Sequence, residues 1–185
     1  MKIRFFIIIL AMSSLLHSEE NFGIVVHGGA GVMSGLSEER QQEIHKKIQE
    51  TVSEAYDILE KGGSSLDAVE LAVSMLEDSP LFNAGRGSVY NSDEVQEMDA
   101  SIMDGKNRLT GAVASVSTVK NPIKLARKVA EETKHVLLVG EGAERFAKDI
   151  GVDIVKRNYF YHEERLKRLH NSKTVSYTHL TLPTT

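Results

Sequence analysis

Between Pro80 and Asn91 the chain reads Pro-Leu-Phe-Asn-Ala-Gly-Arg-Gly-Ser-Val-Tyr-Asn, and from Glu97 it continues Glu-Met-Asp-Ala-Ser-Ile-Met-Asp-Gly. Pro80 cannot extend a preceding helix. Gly85 and Gly87 permit positive φ, so the backbone between them can fold into a tight loop that presents its own carbonyls or amides. Glu77, Asp78, Asp93, Glu94, Glu97, Asp99 and Asp104 flank this loop, which suits a cation or an amine and equally suits a solvated turn. His27, at the start of His-Gly-Gly-Ala-Gly31, is placed where a histidine could act as a base, although a lone histidine there is more often a structural hydrogen-bonder. The same glycines read poorly as a phosphate cradle, because no Lys-Ser/Thr closes the loop and no capped helix starts upon it. Asp99 and Asp104 are spaced too irregularly for an acid and base pair on one strand face. The seven histidines are scattered and suggest no metal cluster.

Alternating strands and helices position these groups. Ile24 to His27 reads as a short strand. Ser37 caps a helix with Glu38 and Glu39 in its first turn, Ile44, Ile48, Val52, Ala55 and Leu59 on its core face, and Lys61-Gly62-Gly63 as its stop. Ser64 and Asp67 open a second helix as a capping box, and its broad band of Leu66, Val69, Ala72, Val73 and Leu76 places it between layers. Met98 to Met103 and Gly111 to Val119 are expected as two strands of a hairpin turning at Asp104-Gly105, with small Ala and Ser side chains that leave room for another layer. Asn121-Pro122 starts a helix through Ala130, Val136 to Val139 reads as a buried strand, and Gly142 to Ile150 as a shorter helix. Glu163 to His170 is a charged, weakly amphipathic helix, and 171–185 shows no convincing periodicity. A sheet of about four strands with helices on one side still needs cover on its other face.

The 185 residues are 41% hydrophobic, enough for one core and one domain. With 22 basic against 26 acidic residues and no basic tract away from the C-terminal end, nothing points to nucleic acid. The absence of cysteine excludes disulfide frameworks, thiolate nucleophiles and cysteine zinc sites together. Lys2 and Arg4 precede an apolar run from Phe5 to Leu16 that is too short to span a bilayer. We read 1–18 as a secretory signal peptide, with an uncleaved anchor as the alternative. Export implies a secreted or periplasmic protein with no stable membrane span after cleavage.

Several motifs together carry a resemblance: His27-Gly-Gly-Ala-Gly31, Gly62-Gly-Ser-Ser-Leu-Asp-Ala-Val69, Leu76-Glu77 with Pro80 to Gly85, Gly87-Ser-Val, Glu97 to Gly105, Gly111-Ala-Val, Asn121 to Arg127 and Gly140-Glu-Gly-Ala143. Over about Ile24 to Ile150 the chain resembles the plant-type asparaginase and isoaspartyl peptidase family of threonine N-terminal nucleophile hydrolases. The resemblance implies an αββα sandwich, made as a precursor that cuts itself before a threonine in Gly-Thr-Val-Gly. The freed amine is then general base to its own hydroxyl, which attacks the asparagine side-chain amide or a β-aspartyl peptide bond. This sequence resembles the α half only (19–170), with 171–185 as linker and non-native tail. The nucleophile and the groups that grip the substrate are implied to lie in a β-subunit, within an (αβ)2 dimer. The 185-residue chain itself is therefore expected to be inactive.

By the same resemblance, the carbonyls of Leu76, Glu77, Ser79, Phe82, Ala84 and Arg86 are implied to hold a structural sodium ion, with no cofactor for catalysis. Asn83 is implied as the side chain that reaches the active centre, where it bonds the threonine amine; the rival reading is that it closes its own turn. Arg86 departs from the small or apolar residue usual there, harmlessly if only its carbonyl is used. Thr174-Val175 follows Lys173 rather than glycine, which argues against Thr174 as nucleophile. Alternatives are a glycosylasparaginase-like amidase and a non-catalytic fragment.

Overall fold

The computed structural model describes residues 22–29 and 33–179, with side chains described as far as Lys173. The proposed leader therefore lies outside the described residues. The first two helices, α1 (Glu38–Glu60) and α2 (Ser65–Glu77), pack against each other. Ser37 Oγ accepts from Arg40 N–H, and Ser64 and Asp67 make the reciprocal capping box, each as expected. Gly62, at φ 79°, ends α1 in the left-handed conformation that glycine takes without cost. The α1 face is less buried than its pattern suggests. Ala55 is fully covered, but Ile44, Ile48, Val52 and Leu59 are half-buried, because the cluster of Ala55, Ala68 and Ala72 with Ile24, Val26, Ile58 and Leu59 is thin.

The sheet has three strands in the order β1 (Met98–Asp104), β2 (Leu109–Val116), β3 (Leu137–Val139). The first two are antiparallel, with Asp104 paired to Leu109, so the turn at Asp104-Gly105 is as expected, and β3 runs parallel to β2. Ile24 to His27 is not a strand: the segment has no ladder partner among the described residues, and Val25 is 96% exposed. Nor is Val136 to Val139 buried, since Val136, Leu137 and Val139 are each more than half exposed on an edge. In both cases the apolar run reports a face with no covering layer among the described residues.

Helices α3 (Pro122–Glu132) and α4 (Gly140–Asp149) cover one face of the sheet. Met98, Ile102, Val113, Val116, Val119, Ile123, Leu125 and Val129 make that core, closed at one end by Phe160 from a 3₁₀ turn, Arg157–Phe160. The layers touch at Gly111, where a Cβ would fall 2.2 Å from the Ala126 carbonyl oxygen. The pairs Met103–Thr110, Ser101–Ala112 and Ala112–Leu137 share the other face, and it lies open, with Met103 60% exposed. Helix α5 (Glu163–His179) carries its backbone past the expected end at His170, through Thr174. No helix among the described residues is long and apolar enough to cross a membrane.

Candidate functional site

The loop from Leu76 to Ser88 leaves α2, turns at Pro80 and closes in a 3₁₀ turn, Gly85–Gly87. Two glycines allow it to close. Gly85 sits at φ 49°, and a Cβ there would lie 2.1 Å from the Glu77 carbonyl oxygen; at Gly87 it would lie 2.1 Å from that of Phe82. The loop is thus packed backbone on backbone. Of the six carbonyls expected as ligands, those of Leu76 and Ala84 accept N–H groups of Ser79 and Gly87. Those of Glu77, Ser79, Phe82 and Arg86 have no donor among the described residues. Neutral oxygens held around a cradle that a Cβ would fill fit a monovalent cation better than a divalent one. The Arg86 side chain turns away, its guanidinium 5.5 Å above the Tyr159 ring, so its charge need not oppose a cation at its carbonyl.

Asn83 is exposed, and its Oδ1 accepts the Val89 N–H at 2.9 Å. The amide therefore closes the loop, as the rival reading holds, while Nδ2 has no acceptor among the described residues and remains available as a donor. His27 bonds its own turn, Nδ1 accepting the Gly29 N–H at 3.1 Å. Gly28 passes under Phe82, where a Cβ would be 3.0 Å from the ring, so the His-Gly-Gly strap braces the loop.

The flanking carboxylates do not converge on one point. Asp99 accepts from Ser115 N–H, Glu97 from Asn91 and Asp78 from Asn121, while Glu94 meets His170. Among the described residues no three His, Asp or Glu side chains gather as a metal site. Glu77 is the exception in environment. It is 3% exposed, Oε1 accepts the Ile123 N–H at 3.0 Å, and Oε2 has no partner. Burial pushes its carboxyl up to about 7, against the lowering influence of the Ile123 N–H and the nearby Asn121 amide. Glu77 thus caps α3 in place of Asn121, whose side chain makes no cap bond.

Sequence reasoning missed two further supports. Gln96 is buried and donates to the Ser88 carbonyl at 2.8 Å. Glu144 Oε1 accepts from the N–H groups of Ser117 at 2.7 Å and Thr118 at 3.0 Å. Burial alone would raise the Glu144 carboxyl, but these bonds outweigh it and hold it below its ordinary value. Neither residue stands in a motif; the only signal is a polar residue within a pattern that places it near a strand end.

The sequence model of the asparaginase family, described as asparaginase, matches residues 20–183, and the chain belongs to that family. Among relatives, it is 48% identical over 150 residues to the isoaspartyl peptidase/L-asparaginase of Rattus norvegicus, covering 81% of this chain and 44% of that protein. Against the Homo sapiens protein of the same name the identity is 46% over 150 residues, with 81% and 48% covered. It is 56% identical over 128 residues to the plant-type L-asparaginase of Pyrococcus furiosus, with 69% and 41% covered. The chain spans about half the length of the curated relatives it matches.

Proposed function

We propose that the complete protein is a hydrolase of β-aspartyl peptides and of the asparagine side-chain amide, and that this chain supplies its α half. Family membership over residues 20–183 is the observation that carries this reading, and the rat and human relatives, isoaspartyl peptidase/L-asparaginases by name, supply the two substrates. The open sheet face of Met103, Ala112 and Leu137 supports an αββα sandwich in which a second sheet, from a β-subunit, packs on the first. Self-cleavage would expose a threonine in that half, its amine taking the proton as its hydroxyl attacks the carbonyl. Two such units would pair as an (αβ)2 dimer, and the leader in 1–18 would direct the precursor out of the cytoplasm.

In this reading the chain's own residues build the floor of the site. A sodium ion, when bound to the carbonyls of the 76–86 loop, supplies positive charge that holds the loop shut. Asn83, fixed through Oδ1 by Val89 N–H, directs Nδ2 as a donor to the lone pair of the neutral threonine amine. The test is hydrolysis by the complete protein of a β-aspartyl dipeptide, read as free aspartate, beside ammonia release from asparagine. Turnover of either supports the reading. A folded protein that turns over neither, but cleaves a glycosylated asparagine, belongs to the amidase alternative.

A further inference from the structure

A cavity of about 280 Å³ lies between the loop after the site turn and the 3₁₀ turn Arg157–Phe160, lined by Tyr90, Glu94, Val95, Arg157 and Phe160 among others. Its volume, at the low end for a small-molecule cleft, suits an amino acid better than a nucleotide. Its polar groups are held from behind. Glu144 accepts from Ser117 Oγ at 3.2 Å, and that hydroxyl accepts from Arg157 Nε at 3.2 Å. Arg157 is thus anchored through one nitrogen, and neither terminal nitrogen has an acceptor among the described residues. Tyr90 Oη accepts the His162 N–H at 3.1 Å, which leaves its own proton to donate. Glu94 is held at Oε1 by His170 Nε2 at 3.0 Å, with Lys173 Nζ at 3.9 Å. Its Oε2 has no partner among the described residues.

We propose that this cavity binds a free α-amino acid with an apolar side chain. The carboxylate takes the paired N–H groups of Arg157 and the Tyr90 hydroxyl, since a guanidinium fork matches two carboxylate oxygens. The ammonium takes Glu94, and the side chain lies against Val95 and Phe160. A guanidinium with two open terminal nitrogens and a carboxylate with one open oxygen, lining one small cavity, favour a zwitterion, because an acid alone forgoes the bond to Glu94 Oε2 and an amine alone forgoes the fork of Arg157. The site is read without turnover, so it stands or falls independently of the hydrolase activity.

Calorimetric titration of the complete protein with L-leucine tests it, beside 4-methylpentanoate, which lacks the amine, and 3-methylbutylamine, which lacks the carboxylate. The expected result is one leucine per chain, with both analogues at least tenfold weaker. Arg157→Met should weaken leucine at least tenfold with an unchanged melting temperature, and Glu94→Gln should weaken leucine but not 4-methylpentanoate. Absence of leucine binding, equal binding of the amine, or binding indifferent to Arg157→Met would overturn the proposal. The two analogues decide the matter even if a variant fails to fold.

Discussion

Gly85 and Gly87 carry the site loop because their missing side chains are where the carbonyls of Glu77 and Phe82 sit. Alanine at either position must displace backbone rather than a flexible side chain, and Gly85 adds the cost of a left-handed φ. We expect Gly85→Ala and Gly87→Ala each to cost about 2–4 kcal/mol in urea unfolding of the complete protein. Gly105→Ala, with nothing near its Cβ, should stay within about 0.5 kcal/mol. Asn83 makes a different prediction. Asn83→Asp keeps an acceptor for the Val89 N–H but puts an anion beside the proposed amine, so the acid limb of the pH-rate profile should move upward while the melting temperature holds. Lost stability with an unshifted profile would make Asn83 purely structural. The loop was legible in sequence because Pro80, Gly85 and Gly87 have few other uses. The burial of Glu77 was not, because its cause is the N-terminus of α3, 46 residues away.

At the scale of elements, Glu144 on α4 ties down the chain as it leaves β2. Its carboxyl sits below its ordinary 4.5 in the folded protein, so it contributes stability at pH values above 4.5 and loses it as pH falls through the folded value. Glu144→Gln retains an acceptor but not the charge, and should cost about 1 kcal/mol near neutral pH. The difference from the unaltered protein should close as the pH is lowered below about 4.5, checked by urea unfolding across pH. Helix ends were readable where the signal is local: the caps at Ser37 and Ser64 and the stop at Gly62 all formed. Strands were harder. Ile24 to His27 and Val136 to Val139 have the right residues, but whether an apolar run pairs, or lies covered, depends on neighbours that no local pattern names. The small residues of β2 were the better guide, since Gly111 does admit α3.

At the scale of the molecule, α3 and α4 cover one side of a three-stranded sheet, and the other side presents Met103, Leu137 and Val139 to solvent. Exposed apolar area of this kind marks a surface meant to be covered. In the proposed whole protein, a second half would cover it and bring the proposed threonine to the loop that holds Asn83. The most direct measurement is the intact mass and N-terminal sequence of the complete protein after purification, taken together with its release of aspartate from a β-aspartyl dipeptide. Two fragments are expected, the second beginning with threonine, with hydrolysis appearing as the precursor disappears. A folded protein that remains one uncut chain and still hydrolyses the dipeptide at full rate would contradict the assignment of this chain as the α half of a self-processing enzyme.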